Sequence, residues 1–423
     1  RYHKVTGVQT CALPISSMKK FLAVLLAVMM LFSICVLAGC GETKDPDKKP
    51  DDDKKPEEVA YKVAMITDYG DITDESFNQT TYEACVAFCK GKGYDFQYYK
   101  PAGDTTADRV AMIEKAIDDG HNLIVMPGYA FAGAIVEAAP EHPDVKFFAL
   151  DVAKGDLLEA GVTKAGEKYD YTPDNWDFDK YVNMSNVYSA IYQEELSGYM
   201  AGVAAVKLGY TKLGFLGGME VPAVVRFGYG FVQGVNDAAK ELGINVELNY
   251  VYGGAFSGDP DITARMDTWY QNGTEIVFAC GGGIYTSAGE AAVKKNGKLI
   301  GVDTDQKPVI DKKYGDGITV TSAMKGLYPT TIDTLNDIIN NGNWDNYKGK
   351  ITNLGLVSGG DPTLNYVQIP METTQWADGK FTKDDYKALV KNLFEKKITV
   401  SGDTSKQPAV TNVKVDYQGT IKG

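Results

Sequence analysis

The sequence contains few of the residues from which most metal sites and hydrolytic sites are built. Only three histidines occur among its 423 residues, and none lies near a cluster of cysteines or glutamates at the spacing of metal ligands. No Gly-x-Ser-x-Gly and no His-Glu-x-x-His segment is present. The formal net charge is -13, so the chain lacks the excess of basic residues that is typical of nucleic-acid-binding proteins. We therefore expect no metal, no cofactor, no nucleic-acid partner and no enzymatic activity.

Long apolar runs are also scarce, and the one long run lies near the start of the chain. Residues 1–17 match nothing that follows them, and we interpret them as a non-native leader. The segment 18–39 has two lysines after its first methionine and continues with an apolar run. It ends in Leu-Ala-Gly before Cys40, which resembles the lipobox of bacterial lipoproteins. This pattern predicts a signal peptide over 18–39 and lipid attachment at Cys40. A transmembrane anchor is the alternative, because the run is of borderline length.

The segment 40–58 is rich in Lys, Asp, Pro and Glu and has almost no apolar residue. Such a composition cannot bury a core, so we expect a disordered tether. No later run is apolar enough to span a bilayer. These features together predict a protein that is anchored to the cell membrane by lipid on its extracytoplasmic side.

Short apolar runs of strand length alternate with helical patterns from residue 59 onward, in two similar series. Such alternation predicts right-handed βαβ units and parallel sheets. The expected fold is therefore α/β, with two doubly wound lobes. The N-terminal lobe is predicted to comprise 59–183 and 318–342, with 154–182 as an inserted surface loop, and the C-terminal lobe to comprise 184–317 and 343–423.

The first strand and the helix after it carry the strongest candidates for a binding site. An apolar run over 63–66 predicts a buried strand, and Asp74 predicts the N-cap of a helix. In α/β folds the loop between them lies at the carboxyl edge of the sheet, where ligands bind. Asp68 offers a carboxylate there, and Phe77 and Asn78 offer an aromatic plane and an amide. In the alternative interpretation, Phe77 simply faces the core.

Other predicted strands also end in residues that suit a site, namely Tyr129, Asp151, Gly281 and Asp303. The three glycines that begin at Gly281 lack the lysine of a P-loop and the spaced glycines of a dinucleotide fingerprint. They indicate close backbone approach beside a cleft rather than a phosphate site. Asp303 and Asp305 resemble the paired carboxylates of a glycosidase, but aspartates two apart after a strand more often bind hydroxyls or cap a turn.

Several segments resemble one known family. The run 67–79 is similar to the TD-x-G-x-x-D-D-x-SFNQ opening of the basic membrane protein (BMP) family of substrate-binding lipoproteins. Further matches follow in the same order at 214–219, 226–234, 252–256, 301–306 and 321–325. The sequence departs from the family pattern at Asp71, where glycine is usual, at Thr73, where aspartate is usual, and in the extra segment 154–182.

The resemblance implies a type I periplasmic-binding fold, in which three crossover strands join two α/β lobes and the ligand binds in the cleft between them. It also implies that the ligand passes to the permease of an ABC importer. Characterised relatives bind purine or pyrimidine nucleosides, so a nucleoside-like ligand is expected here. The resemblance further implies that Phe77 and Phe227 stack on the two faces of its base.

The remaining roles are also implied by the resemblance. Asp68, Asn78 and Asp151 would hydrogen-bond the base edge or the ribose. Asp303 and Lys325 would take ribose hydroxyls, with Lys325 in a crossover strand. An ion pair between the lobes is the alternative for these last two residues.

Other functions stay open at this point. The same cleft could hold a sugar or a sugar-derived signal. A surface receptor or adhesin could use the tyrosine-rich segment 154–182, and an enzyme such as a nucleoside hydrolase could share the fold.

Overall fold

The computed structural model describes residues 60–422. The predicted leader 1–17, signal peptide 18–39, tether 40–58 and lipid site Cys40 lie outside the described residues. Within the described part, no helix is both long enough and apolar enough to cross a bilayer.

Strands and helices alternate along residues 60–422, as the sequence predicts. The strands are β1 (Lys62–Ile66), β2 (Asp95–Tyr99), β3 (Leu123–Pro127), β4 (Lys146–Leu150), β5 (Val187–Tyr192), β6 (Lys212–Gly217), β7 (Val246–Tyr252), β8 (Ile276–Cys280), β9 (Lys298–Asp303), β10 (Thr319–Lys325), β11 (Lys350–Leu354), β12 (Val367–Gln368) and β13 (Val413–Thr420). The helices are α1 (Phe77–Lys92), α2 (Thr106–Asp118), α3 (Ala132–Ala138), α4 (Lys154–Lys164), α5 (Phe178–Tyr181), α6 (Glu194–Lys207), α7 (Pro222–Leu242), α8 (Pro260–Gln271), α9 (Tyr285–Ala292), α10 (Lys307–Tyr314), α11 (Leu327–Ile339) and α12 (Lys383–Phe394).

The strands form two sheets. The first has the order β11-β5-β4-β3-β1-β2 and is parallel throughout. The second has the order β12-β10-β9-β8-β6-β7-β13, in which β12 runs antiparallel to β10 and the other pairs are parallel. Every residue of β3 and of β8 is buried, as expected for parallel strands that helices cover on both faces. We call each sheet with its helices the first lobe and the second lobe.

The chain passes between the two lobes three times. It leaves the first sheet after β5 and enters α6, which packs against α7 of the second lobe. It returns after β10 through α11, which packs against α1. It crosses a last time between β11 and β12. These are the three crossover connections that the family resemblance implies.

The lobe boundaries predicted from the sequence need correction at three strands. The range 184–317, assigned to the C-terminal lobe, contains β5, which pairs with β4 in the first sheet. The range 318–342, assigned to the N-terminal lobe, contains β10, which pairs with β9 in the second. The range 343–423 contains β11, which pairs with β5. A crossing strand has the same apolar pattern as any other strand, so local periodicity does not reveal which sheet it joins.

Only part of the segment 154–182 is irregular. Its first eleven residues form α4, the ordinary crossover helix between β4 and β5. The remainder packs back on α4 through Tyr169, Trp176 and Tyr181, whose neighbouring ring centroids lie 5.7 and 5.5 Å apart. The tyrosine-rich segment therefore braces a helix of the first lobe.

Helices α6 and α7 cross at short range because glycines line their contact. A Cβ atom at Gly198 of α6 would collide with the carbonyl oxygen of Phe227, and one at Gly230 of α7 would collide with the backbone of Glu195. The close crossing holds the first turn of α6 beside the N-terminal half of α7. Each of these segments contributes a charged side chain to the site described below.

Candidate functional site

A cavity of about 540 Å³ lies between the two lobes, at the carboxyl ends of their parallel strands. This is the edge at which open α/β sheets bind ligands. The residues predicted for the site all line it: Asp68, Phe77, Asn78, Tyr129, Asp151, Phe227, Gly281, Asp303 and Lys325. The fold brings these residues together, while the role of each stays a prediction.

The loop between β1 and α1 holds an amide between two carboxylates. Asp74 accepts hydrogen bonds from three backbone N–H groups of the following turn, at 2.9–3.0 Å. Its Oδ2 also accepts from Nδ2 of Asn78 at 3.1 Å, and Oδ1 of Asp68 lies 3.4 Å from that nitrogen. Burial raises the pKa of Asp68 and of Asp74 above the ordinary value. The helix begins at Phe77 with Ser76 as its N-cap residue, two positions later than predicted, although Asp74 supplies the capping bonds.

The ammonium group of Lys325 lies against three aromatic rings. Its Nζ is 4.7 Å from the ring centroid of Phe77, 5.6 Å from that of Phe227 and 5.8 Å from that of Tyr192. Phe77 packs partly on the core of the first lobe, but its ring also faces the cavity. Phe227 is nearly fully buried and meets Phe278 edge-on at 6.0 Å. Aromatic planes from both lobes therefore approach one charged group.

Lys325 is surrounded by carboxylates from both lobes. It forms an ion pair with Asp151 of the first lobe, and its Nζ lies 3.6 Å from both Asp303 and Glu194 of the second. Burial acts to lower the pKa of Lys325, but the three carboxylates outweigh it and raise that pKa above the ordinary value. Burial raises the pKa of Asp303 and of Glu194. The lysine is therefore held in its charged form.

The ion pair that spans the lobes is not the one considered from the sequence. Asp303 and Lys325 both belong to the second sheet, at the ends of the neighbouring strands β9 and β10. The pair between the lobes joins Lys325 to Asp151. Asp303 meets the first lobe through a hydrogen bond that Ser76 Oγ donates to its Oδ2 at 2.7 Å.

Further contacts join the lobes around the cavity. Gln306 donates from Nε2 to the carbonyl oxygen of Glu75 at 3.1 Å. The hydroxyl groups of Tyr69 and Tyr129 point at the sulfur of Met219, at 3.3 and 3.7 Å. The cavity is thus closed by contacts that must break when the lobes separate.

Asp151 and Asp303 occupy corresponding positions in the two lobes and share an uncommon backbone conformation. Asp151 follows β4 and Asp303 ends β9, and each of these strands lies beside a crossing strand. Their φ angles are 63° and 64°. This left-handed region costs roughly 1–3 kcal/mol for a residue other than glycine, and such strain is concentrated at functional sites.

Among the cavity-wall residues that sequence reasoning missed are two charged side chains and one aromatic ring. Arg226 donates from Nε to Oε2 of the buried Glu194 at 2.6 Å. Asp156 lines the cavity from α4, and burial raises its pKa to about 6. Phe256 lies with its ring centroid 6.5 Å from that of Tyr69. Arg226 and Phe256 fall in segments that carry the family resemblance, which was the available signal, whereas Asp156 falls in the segment interpreted as an insertion.

Gly281 lies where two backbone segments approach each other. A Cβ atom there would come within 3.0 Å of the Cα of Gly218 and of the ring of Phe256. The geometry supports the interpretation of close backbone approach beside a cleft.

The chain is similar to known proteins in family, sequence and fold. Residues 61–361 match the Bmp family, described as ABC transporter substrate-binding protein PnrA-like. The ABC transporter nucleoside-binding protein BmpA of Lactococcus lactis subsp. cremoris is 28% identical over 312 residues, which cover 71% of this chain and 78% of that protein. An uncharacterised lipoprotein of Pyrococcus abyssi is 24% identical over 399 residues, which cover 89% of this chain and 86% of that protein.

A solved structure is similar in fold. The ABC transporter solute-binding protein from Aeropyrum pernix K1 superposes with a TM-score of 0.57 at 20% identity, covering 80% of this chain and 87% of that one. The likeness confirms the predicted α/β fold with two parallel-sheet lobes of the type I periplasmic-binding kind. The family match covers well over half of the sequence, and the chain therefore belongs to the Bmp family of PnrA-like ABC transporter substrate-binding proteins.

Proposed function

We propose that the protein captures a nucleoside between its two lobes and delivers it to the permease of an ABC transporter for import. The observation that carries this proposal is the arrangement around Lys325. Aromatic rings from both lobes and carboxylates from both lobes meet there in one cavity. Aromatic planes suit a flat base, and carboxylates suit the hydroxyl groups of a ribose. The name of the Lactococcus relative, a nucleoside-binding protein, supports the same ligand class.

The base is proposed to stack on Phe77 and to meet Phe227 on its other side. Stacking on an aromatic side chain contributes about 1–3 kcal/mol for each base. Asp68, Asn78 and Asp151 hydrogen-bond the base edge or the ribose in this proposal. Tyr129 and Gly281 complete the wall of the cleft.

Asp303 and Lys325 are proposed to bind ribose hydroxyl groups. A hydrogen bond to a charged group in a dry site contributes about 1.5–3 kcal/mol. Lys325 is already paired with Asp151, so a ribose would join an existing network and find its partners in place.

Ligand entry requires the lobes to separate. The contacts between Ser76 and Asp303 and between Glu75 and Gln306 link the lobes and would break on opening. A ligand that touches both lobes favours the closed form, and this differential binding is what drives closure.

Calorimetric titration of the full-length protein with nucleosides, free bases and pentoses tests the ligand class. We expect nucleosides to bind more tightly than the pentose or the base alone. A pentose that binds while nucleosides do not would contradict the proposal and favour a sugar ligand. Release of the free base from a bound nucleoside, detected by chromatography, would instead indicate an enzyme.

We also propose that the protein is held on the extracytoplasmic side of the membrane by lipid at Cys40. The signal-like segment before that residue supports this, as does the lipoprotein name of the Pyrococcus relative. Labelling of cells with a fatty-acid analogue should tag the wild-type protein and not a Cys40→Ala variant. Equal labelling of both proteins would contradict the attachment site.

A further inference from the structure

Two side-chain atoms of the cavity wall are buried without a hydrogen-bond partner among residues 60–422. They are Oδ1 of Asn78 and Oδ1 of Asp151. Both are hydrogen-bond acceptors, because one is an amide oxygen and the other belongs to a carboxylate paired with Lys325. A buried acceptor left unpaired is costly, so a native structure that keeps one requires an explanation.

The orientation of the Asn78 amide follows from its neighbours. Asp74 accepts hydrogen bonds from three backbone N–H groups, so its carboxylate oxygens act as acceptors. The Asn78 group that lies 3.1 Å from Asp74 Oδ2 must therefore be the donor, Nδ2. Reversing the amide would place two oxygens against each other. Asp68 Oδ1, at 3.4 Å from the same nitrogen, favours the same orientation.

The surrounding backbone leaves the amide little room to move. A Cβ atom at Gly70 would collide with Nδ2 of Asn78, so this loop already packs directly on the amide. The amide nitrogen of Asn78 thus donates its hydrogen bonds to carboxylates of the protein. Its Oδ1 is the atom that remains to accept a hydrogen bond from a ligand.

We propose that this site selects nucleosides whose base carries an exocyclic amino group, which donates a hydrogen bond to Oδ1 of Asn78, with Asp74 as the residue that positions the amide. The inference rests on the proposed function and names the ligand more closely. Adenine, guanine and cytosine carry an amino group, whereas uracil and hypoxanthine carry none and have a ring N–H as their only N–H donor. A base oxygen in the same place would face the amide oxygen, and the two acceptors would repel each other.

Titration of the full-length wild-type protein with five nucleosides gives the first test. We expect the tightest of adenosine, guanosine, cytidine, inosine and uridine to be one of the three with an amino group. Its affinity should exceed that of its partner without the amino group (purine riboside, inosine or uridine, respectively) by about tenfold or more, since the partner lacks the amino donor that pairs with the buried acceptor. Tightest binding of inosine or uridine, or equal affinity within the matched pair, would overturn the inference while leaving nucleoside binding intact. Absence of binding by every nucleoside would overturn the proposed function and this inference with it.

The variant Asp74→Asn gives the second test, because an amide nitrogen in place of Asp74 Oδ2 no longer holds the Asn78 nitrogen toward it. We expect the ratio of affinities within the matched pair to fall to about threefold or less, while stacking still holds both ligands. Asp95→Asn is the control, since Asp95 lies on β2 outside the cavity wall, is exposed and pairs with Lys62 at 3.6 Å; its ratio should match that of the wild type. An unchanged ratio in Asp74→Asn would refute the positioning role. The wild-type comparison needs no variant and decides the ligand preference by itself.

Discussion

Replacing Lys325 by methionine should strongly destabilise the ligand-free protein. Lys325 pairs with Asp151 and lies 3.6 Å from both Asp303 and Glu194, so its removal leaves three carboxylates together. Within the described residues, Arg226 is the cation that would still pair with this group. Removing one partner of a buried ion pair costs about 3–5 kcal/mol. For a folded part of this length, such a loss lowers the melting temperature by roughly 5 °C.

The loss of stability should depend on pH. Burial already raises the pKa of Asp303 and of Glu194, and removal of the ammonium group raises both further. A carboxyl whose pKa is higher in the folded protein stabilises the fold below its unfolded pKa and loses that contribution as the pH rises through its folded pKa. The difference in melting temperature between wild type and variant should therefore be largest near pH 8 and smallest near pH 5.

Thermal melting followed by circular dichroism at several pH values measures this difference. Lys383→Met is a matched control, because Lys383 is an exposed lysine that pairs with Glu372 at 3.0 Å on the surface. Its melting temperature should stay within about 1 °C of wild type, since surface ion pairs contribute little. The prediction would be refuted if the Lys325→Met protein had the same melting temperature as wild type at pH 8. It would also be refuted if the difference in melting temperature were the same at every pH.

Three further predictions follow from the same geometry. Phe77→Leu should weaken nucleoside binding about tenfold in calorimetry, because the stacking contact is lost. Phe96→Leu on β2 is the control, since Phe96 lies outside the cavity wall and its replacement should leave the affinity unchanged. Equal effects of the two substitutions would argue against stacking. Gly70→Ala should also reduce the affinity for nucleosides, because the added Cβ displaces the Asn78 amide, and unchanged affinity would contradict the close packing of this loop. Gly91→Ala on α1 has open space around the added Cβ and should stabilise the protein by about 0.5–1 kcal/mol in urea unfolding. Burial raises the pKa of Glu195 from 4.5 to about 7, so the stability that it contributes below its unfolded pKa is lost as the pH rises through 7. Glu195→Gln should accordingly flatten the decline in melting temperature between pH 6 and pH 8, and an equally steep decline would contradict this.

Much of the site could be predicted because parallel strands converge at their carboxyl ends. Asp68, Tyr129, Asp151 and Asp303 were identified as residues that end apolar runs, and the two sheets bring those ends to one cavity. The family resemblance added Phe227 and Lys325, whose roles no local pattern indicates. Both kinds of information identify residues by their position along the chain, and folding brings these residues close together in space.

The residues that sequence reasoning missed depend on contacts between distant parts of the chain. Glu194 opens a helix, where an acidic residue is ordinary, and its pairing with Arg226 depends on the glycine-lined crossing of α6 and α7. The crossing strands were misassigned for a similar reason, since β5 and β10 look like their neighbours in the sequence. Partners that are set by tertiary packing leave no periodic signal.

Both outer strands of the second sheet come from the end of the chain. β12 and β13 lie beyond residue 361, where the family match stops, while every residue that lines the cavity precedes them. A protein truncated after residue 361 would keep every residue that lines the cavity, but it would lose buried core residues such as Phe381 and Tyr386 and expose the backbone edges of β7 and β10. Exposed edges recruit strands from other molecules, so this truncated protein should aggregate although all its cavity residues are present. Ligand recognition and resistance to aggregation are thus encoded in separate stretches of the sequence.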